Sequence, residues 1–210
     1  MSELLSLFPL PTTVLFPNVF LPLHVFEPRY RAMVADALAS DRMIGMVLLR
    51  EGWQQDYEGR PPVYPVGCSG VITHVETLTD GRYNLVLRGL DRFRIVSEDR
   101  DKPYRRAVVT PLPEPPPDPS ARRELRQLRE RLDLLIGPAV ERSGTDAGIT
   151  SAMPDDDLVN ALAQYLDLEP VEKQALLELE GTPRRAAALV ELLEMKLLMP
   201  RTGGAPRRAH

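Results

Sequence analysis

Few side chains in this sequence have the chemistry of a catalyst. Cys68 is the sole cysteine among 210 residues, and the histidines are His24, His74 and His210. Cys68 and His74 suggest a nucleophile and its base. On one extended strand, however, that spacing separates them by about 20 Å. Gly67-Cys68-Ser69-Gly70 falls short of G-x-S-x-G because its second glycine comes one residue early. A bend or bulge between strands is the expected role. A serine–lysine pair would have to use Lys102, Lys173 or Lys196, which lie in a charged loop and on two helical stretches. No G-x-x-x-x-G-K-[ST] phosphate loop occurs. No H-x-x-x-H or C-x-x-C occurs either, and a metal needs three or four converging ligands. Asp155-Asp156-Asp157 reads as carboxylates at a helix N-terminus, where the dipole favours them. No catalytic residue, metal or cofactor is therefore expected.

Two groups have the chemistry of contact instead. Trp53, Tyr57 and Tyr64 surround a polar loop that also holds Gly52, Gly59 and two prolines. Aromatic side chains there offer contact area at low entropic cost. Two readings are open for Trp53: a binding anchor, or a ring folded back onto the core. The second group is Arg29, Tyr30 and Arg31, expected to form a solvated helix start with Tyr30 half-buried. The candidate binding residues are thus Trp53, Tyr57, Tyr64 and Tyr30. The leucine face of residues 122–136 is the remaining candidate, either core or a partner surface.

These groups must be carried by a folded scaffold. The chain is 43% hydrophobic and 27% charged, an ordinary globular balance. Its net charge of -4 gives no reason to expect nucleic acid as a partner. The uncharged stretch from Leu4 to Phe26 is long enough for a membrane span but holds four prolines, which would break the helix. It also lacks the basic start and cleavage site of a secretory signal. The expected location is the cytoplasm.

Residues 1–112 read as β-rich, with short apolar runs at Leu4–Phe8, Thr13–Phe16 and Val19–His24. A helix is predicted over 27–40, with Pro28 in its first turn. Met43–Arg50 reads as a buried strand. Thr79-Asp80-Gly81 joins two further runs as a hairpin, and Gly89 marks a bulge. One more strand is expected at Arg106–Thr110. Residues 113–120 lie in the proline-rich run PLPEPPPDPS and read as a stiff linker. Residues 121–199 are helical, with Leu125, Leu128, Leu132 and Leu135 on one face and Gly137-Pro138 as an interruption. Helices follow at 155–166, at 170–180 and from Thr182-Pro183, the last with Leu189, Leu193 and Leu197 inward. Residues 200–210 read as a disordered tail.

The ordered set LFPL, VLFP, LPLHVFEPRYR, VGC, DGRY and GLDRFRI resembles the N-terminal, substrate-binding domain of the Lon protease family. It is most similar to small bacterial proteins that consist of that domain alone. The resemblance implies an α+β fold: a twisted, PUA-like β pseudobarrel whose N-terminal phenylalanines pack the core, followed by a helical bundle. It also implies a non-catalytic module, without the ATPase and Ser-Lys peptidase modules of the full protease, that binds unfolded or damaged polypeptide. The role that follows is an adaptor or regulator of ATP-dependent proteolysis, with a Lon-type protease as a further partner. Small-molecule sensing and PUA-like RNA binding are the alternatives. The oligomeric state is left open.

Overall fold

A computed structural model describes residues 3–114, 118–143 and 152–198. The tail expected at 200–210 and residues 115–117 of the linker lie outside the described residues. The strands are β1 (Glu3–Leu10), β2 (Phe20–Val25), β3 (Met43–Leu48), β4 (Val66–Thr77), β5 (Tyr83–Asp99) and β6 (Arg105–Leu112). The helices are α1 (Pro28–Leu38), α2 (Pro119–Ser143), α3 (Asp155–Tyr165), α4 (Pro170–Glu178) and α5 (Thr182–Leu198).

The sheet runs β2-β5-β4-β3-β1-β6, and β6 also pairs with β5, closing a ring of five strands. Among the described strands, only β1 and β3 pair in parallel. The closure follows from the length of β5, whose 17 residues reach β2 with one half and β6 with the other. The Asp80-Gly81 turn joins β4 to β5 as predicted, with Gly81 at φ 78°. A register shift falls between Cys68 and Gly70, opposite the Gly89 region.

Leu5, Leu7, Val47, Phe93, Ala107 and Val109 form a cluster inside the ring. The opposite faces of the same strands, including Phe8, Met46, Leu48, Cys68 and Leu87, pack beneath α1 and the helical layer. This is an α+β architecture in which one sheet serves two cores. Burial pushes the Cys68 thiol well above its ordinary value, so it is inert as a nucleophile. His74 is exposed.

Several expectations are corrected. Thr13–Phe16 is not a strand; it is an irregular segment whose Val14, Leu15 and Phe16 are buried. Its prolines at 11 and 17 deny it a regular ladder. The N-terminal phenylalanines divide: Phe8 and Phe16 are core, whereas Phe20 and Phe26 are 50% and 59% exposed. Gly137-Pro138 does not interrupt α2, which continues to Ser143. Pro138 forfeits one bond, to the carbonyl of Leu134, and that residue is 78% exposed, so water can take its place. On α5, Leu189 is buried but Leu197 is exposed.

Several aspartates tie the surface together. Asp36 accepts from Lys102 Nζ at 2.8 Å and from the Tyr104 hydroxyl at 2.6 Å. Asp118 caps α2, accepting from the Ser120 hydroxyl and the Ala121 N–H. Asp99 accepts from the Asp101 N–H and from Arg106. These bonds hold all three carboxyls below their ordinary value. A carboxyl more acidic in the folded state stabilises above its unfolded pKa, about 3.9. That contribution drains away as pH falls through the lower folded value. The urea midpoint is therefore expected to hold from pH 7 to about 5 and to fall below about pH 4. A flat midpoint down to pH 2.5 or so would contradict this.

Candidate functional site

The loop between β3 and β4 begins and ends on a bridge between Leu49 and Val63. Trp53–Asp56 forms a short 3-10 turn, entered through Gly52 at φ 82°. Trp53 is half-buried and meets Tyr57 edge-on, with ring centroids 5.3 Å apart. The Tyr57 hydroxyl donates to Glu27, and Arg29 donates to the Tyr57 carbonyl at 3.1 Å. The Arg29 guanidinium lies 4.7 Å from the Tyr30 ring centroid and 4.9 Å from that of Tyr57. Burial opposes the Arg29 charge, but Tyr30 and Glu27 more than offset it, and its pKa lies above the ordinary value.

Tyr30 is not half-buried. It is 4% exposed, packed 4.6 Å from Phe8, and its phenol is pushed up to about 12, chiefly by burial. It supports the loop from below and presents no contact surface. Tyr64 stands apart from the Trp53 cluster, at the returning end of the loop, with Arg50 over its ring at 5.2 Å. The structure therefore brings Trp53, Tyr57 and Tyr30 together and leaves Tyr64 out of that group.

The sequence reading missed the strip next to this cluster. Along β2, Phe20, Pro22 and His24 are exposed while Leu21 and Leu23 are half-buried and Val25 is buried. His24 and Phe26 stack at 6.1 Å. Phe26 is followed directly by Glu27, the acceptor for Tyr57, so the apolar strip runs into the aromatic loop. From α3, Tyr165 is 63% exposed and donates to the Phe20 carbonyl at 2.5 Å. The signal was present: Pro22 inside a period-two run marks an edge strand, whose outer face is free.

Among the described residues no three carboxylate, histidine or cysteine groups converge as a metal site. Asp155 pairs with Arg129 at 2.6 Å, and Asp157 accepts from Asn18 at 2.9 Å. No described helix is long and apolar enough to cross a membrane.

A family model described as the ATP-dependent protease La (LON) substrate-binding domain matches residues 5–195. Lon protease 2 of Myxococcus xanthus is 30% identical over 200 residues, covering 92% of this chain and 24% of that protein. Lon protease of Cytophaga hutchinsonii is 27% identical over 203 residues, covering 94% of this chain and 25% of that protein. The chain thus spans about a quarter of the length of the curated relatives it matches. Among solved structures, the N-terminal domain of Mycobacterium avium complex Lon protease aligns with a TM-score of 0.72 at 18% identity, covering 91% of this chain and 98% of that one. The Lon N-terminal domain protein from Xanthomonas campestris aligns with a TM-score of 0.60 at 24% identity, covering 94% and 99%. At these identities the structural matches speak for the fold.

Proposed function

The chain belongs to the LON substrate-binding domain family, and from that premise we propose that it binds unfolded or damaged polypeptide. The observation that carries this reading is the exposed strip in which apolar Phe20, Pro22 and Phe26 flank the ring of His24, itself tied to Asn84 and Arg82, and which leads through Glu27 to the Trp53–Tyr57 loop. Folded proteins hide such side chains, so a surface of this kind selects chains that have lost their fold. The loop is firm rather than loose, because Glu27 and Arg29 hold Tyr57 from two sides. A preformed contact costs less ordering on binding.

The role is binding rather than catalysis, in a cytoplasmic adaptor or regulator of ATP-dependent proteolysis. A Lon-type protease is then a second partner, sharing or competing for clients. A PUA-like unit of 1–112 carrying the surface, a linker at 113–120, a helical unit of 121–199 and a tail at 200–210 complete this reading.

The test is fluorescence anisotropy of a labelled, permanently unfolded protein, with a folded protein of similar size as control. Saturable binding of the unfolded probe alone is expected. Absence of binding up to about 100 µM, weaker than about -5.5 kcal/mol, overturns the reading. Within it, the double substitution Phe20→Ser with Phe26→Ser is expected to weaken binding by about tenfold or more, since apolar anchors dominate such contacts. Trp53→Ala is expected to weaken it by several-fold, with the melting transition retained in both variants. Loss of folding in Trp53→Ala would make that ring part of the core instead.

A further inference from the structure

The polypeptide-binding reading leaves open how a chain of arbitrary sequence is held. β2 offers an answer, because it is hydrogen-bonded on one side only. The Gly89 N–H donates to the Val19 carbonyl at 2.9 Å, so Val19 faces β5. Leu21 and Leu23 share its parity and also face β5, and Phe20, Pro22 and His24 face away. The Tyr165 hydroxyl on the Phe20 carbonyl confirms that parity independently. Pro22 fits it too, since its missing N–H falls on the side where no ladder donor is needed.

Beside the Phe20 carbonyl, the outward main-chain groups are thus the Phe20 N–H, the Pro22 carbonyl and the His24 N–H and carbonyl, and none of these four is bonded to another group among the described residues. Tyr165 and Gln164 occupy the Phe20 carbonyl at one end of the edge. At its other end Phe26 leads into α1 and the aromatic loop. What remains is a short edge whose middle residue, Pro22, offers an acceptor and no donor, flanked by exposed side chains.

We propose that client polypeptide is captured as an added strand on the free edge of β2, through the His24 N–H and the carbonyls of Pro22 and His24. This rests on the polypeptide-binding reading above. A second copy of this chain is the poorer occupant. Two such edges facing each other both lack a donor at their centre, because Pro22 has none. An ordinary extended segment has an N–H on each residue and supplies what the edge lacks. Main-chain bonds would give affinity without sequence preference. Alternate side chains lying over Phe20, His24 and Phe26 would favour apolar residues.

The probe is a fluorescein-labelled peptide of about twelve residues alternating valine and threonine, with terminal lysines, long enough to cover the edge as a strand. It is used unmodified, N-methylated at alternate residues, and N-methylated at every residue. Alternate methylation leaves one edge of the peptide intact, so binding within about twofold of the unmodified probe is expected. Complete methylation blocks both edges and is expected to weaken binding by about tenfold or more. On the protein side, His24→Pro removes the outward N–H without touching the β5 ladder. It is expected to weaken binding by about fivefold or more beyond His24→Ala, which removes the same side chain but keeps that N–H. If the unmodified probe and an unfolded protein both fail to bind, the polypeptide-binding reading itself falls. If the unmodified probe binds and complete methylation leaves affinity unchanged, that reading stands and strand addition is overturned. A dimer in sedimentation that His24→Pro dissolves would make the occupant a second copy and likewise overturn the proposal. The peptide arm decides the matter even if His24→Pro fails to fold.

Discussion

Replacing Arg185 by alanine is expected to destabilise the protein by about 3–5 kcal/mol. Arg185 is fully buried, although the sequence presents it as one of two adjacent arginines at the start of a helix. Its guanidinium donates to Glu114, to Asn160 at 2.6 Å and to the carbonyls of Leu176 and Leu179 at 3.2 and 3.4 Å. The Phe16 ring lies 6.0 Å away. Arg92, also buried, shares the same carboxylate at 2.8 Å and donates to the carbonyls of Leu177 and Leu179. Burial lowers the Arg92 pKa, Glu114 opposes that, and Arg185 adds to it. One carboxylate therefore bridges two buried cations, leaves the excess positive charge to the surrounding carbonyls, and ties the barrel, through Arg92, to α4 and α5.

Alanine at 185 leaves the Asn160 side-chain oxygen unpaired in a dry site, which costs about 1–3 kcal/mol, takes one of two donors from the Leu176 and Leu179 carbonyls, and empties the space of a large buried side chain. Lysine is not an adequate substitute, because one ammonium cannot span that set of acceptors. Urea denaturation of the single variant is the measurement. A loss below about 1 kcal/mol would mean that water enters and replaces the network.

Gly89→Ala is expected to cost about 3 kcal/mol, at the upper end for overpacking. A Cβ at this position would stand 2.0 Å from the Phe16 carbonyl oxygen and 3.3 Å from Leu15. The obstacle is backbone, which cannot swing aside as a side-chain tip does. The same contact seats the irregular segment, since the Asn18 N–H donates to the Gly89 carbonyl and the Gly89 N–H to Val19. Phe16 also donates its N–H to Gln164 of α3. Pushing Phe16 away therefore strains the barrel and its join to the helices together. Gly137→Ala is the internal control. Nothing stands within 4 Å of a Cβ there, and the residue lies inside α2. That substitution is expected to stabilise by about 0.5–1 kcal/mol. Thermal or urea unfolding of the two variants in parallel reads both signs, and equal effects would refute the packing argument.

What the sequence determined by itself were the properties that local chemistry decides. Alternating residues, Asp80-Gly81 and the prolines placed the β-hairpin, and Pro28 and the three-and-four spacing placed α1 and the leucine face of α2. The spacing of Cys68 and His74 argued against a nucleophile–base pair. What only the tertiary structure decided was which faces meet another layer. Phe8 and Phe20 stand in similar apolar, proline-punctuated runs, yet one lies under Tyr30 and the other is exposed. A strand's two-residue period separates its faces but does not say which is covered, because cover comes from distant segments. Arg185 makes the same point for charge. Its burial is tolerable only because Glu114, Asn160 and the end of α4 converge on it, and no local pattern around residue 185 foretells that convergence. The free edge of β2 is likewise a property of strand order, which forms only when β5 is long enough to hold β2 and β6 at once.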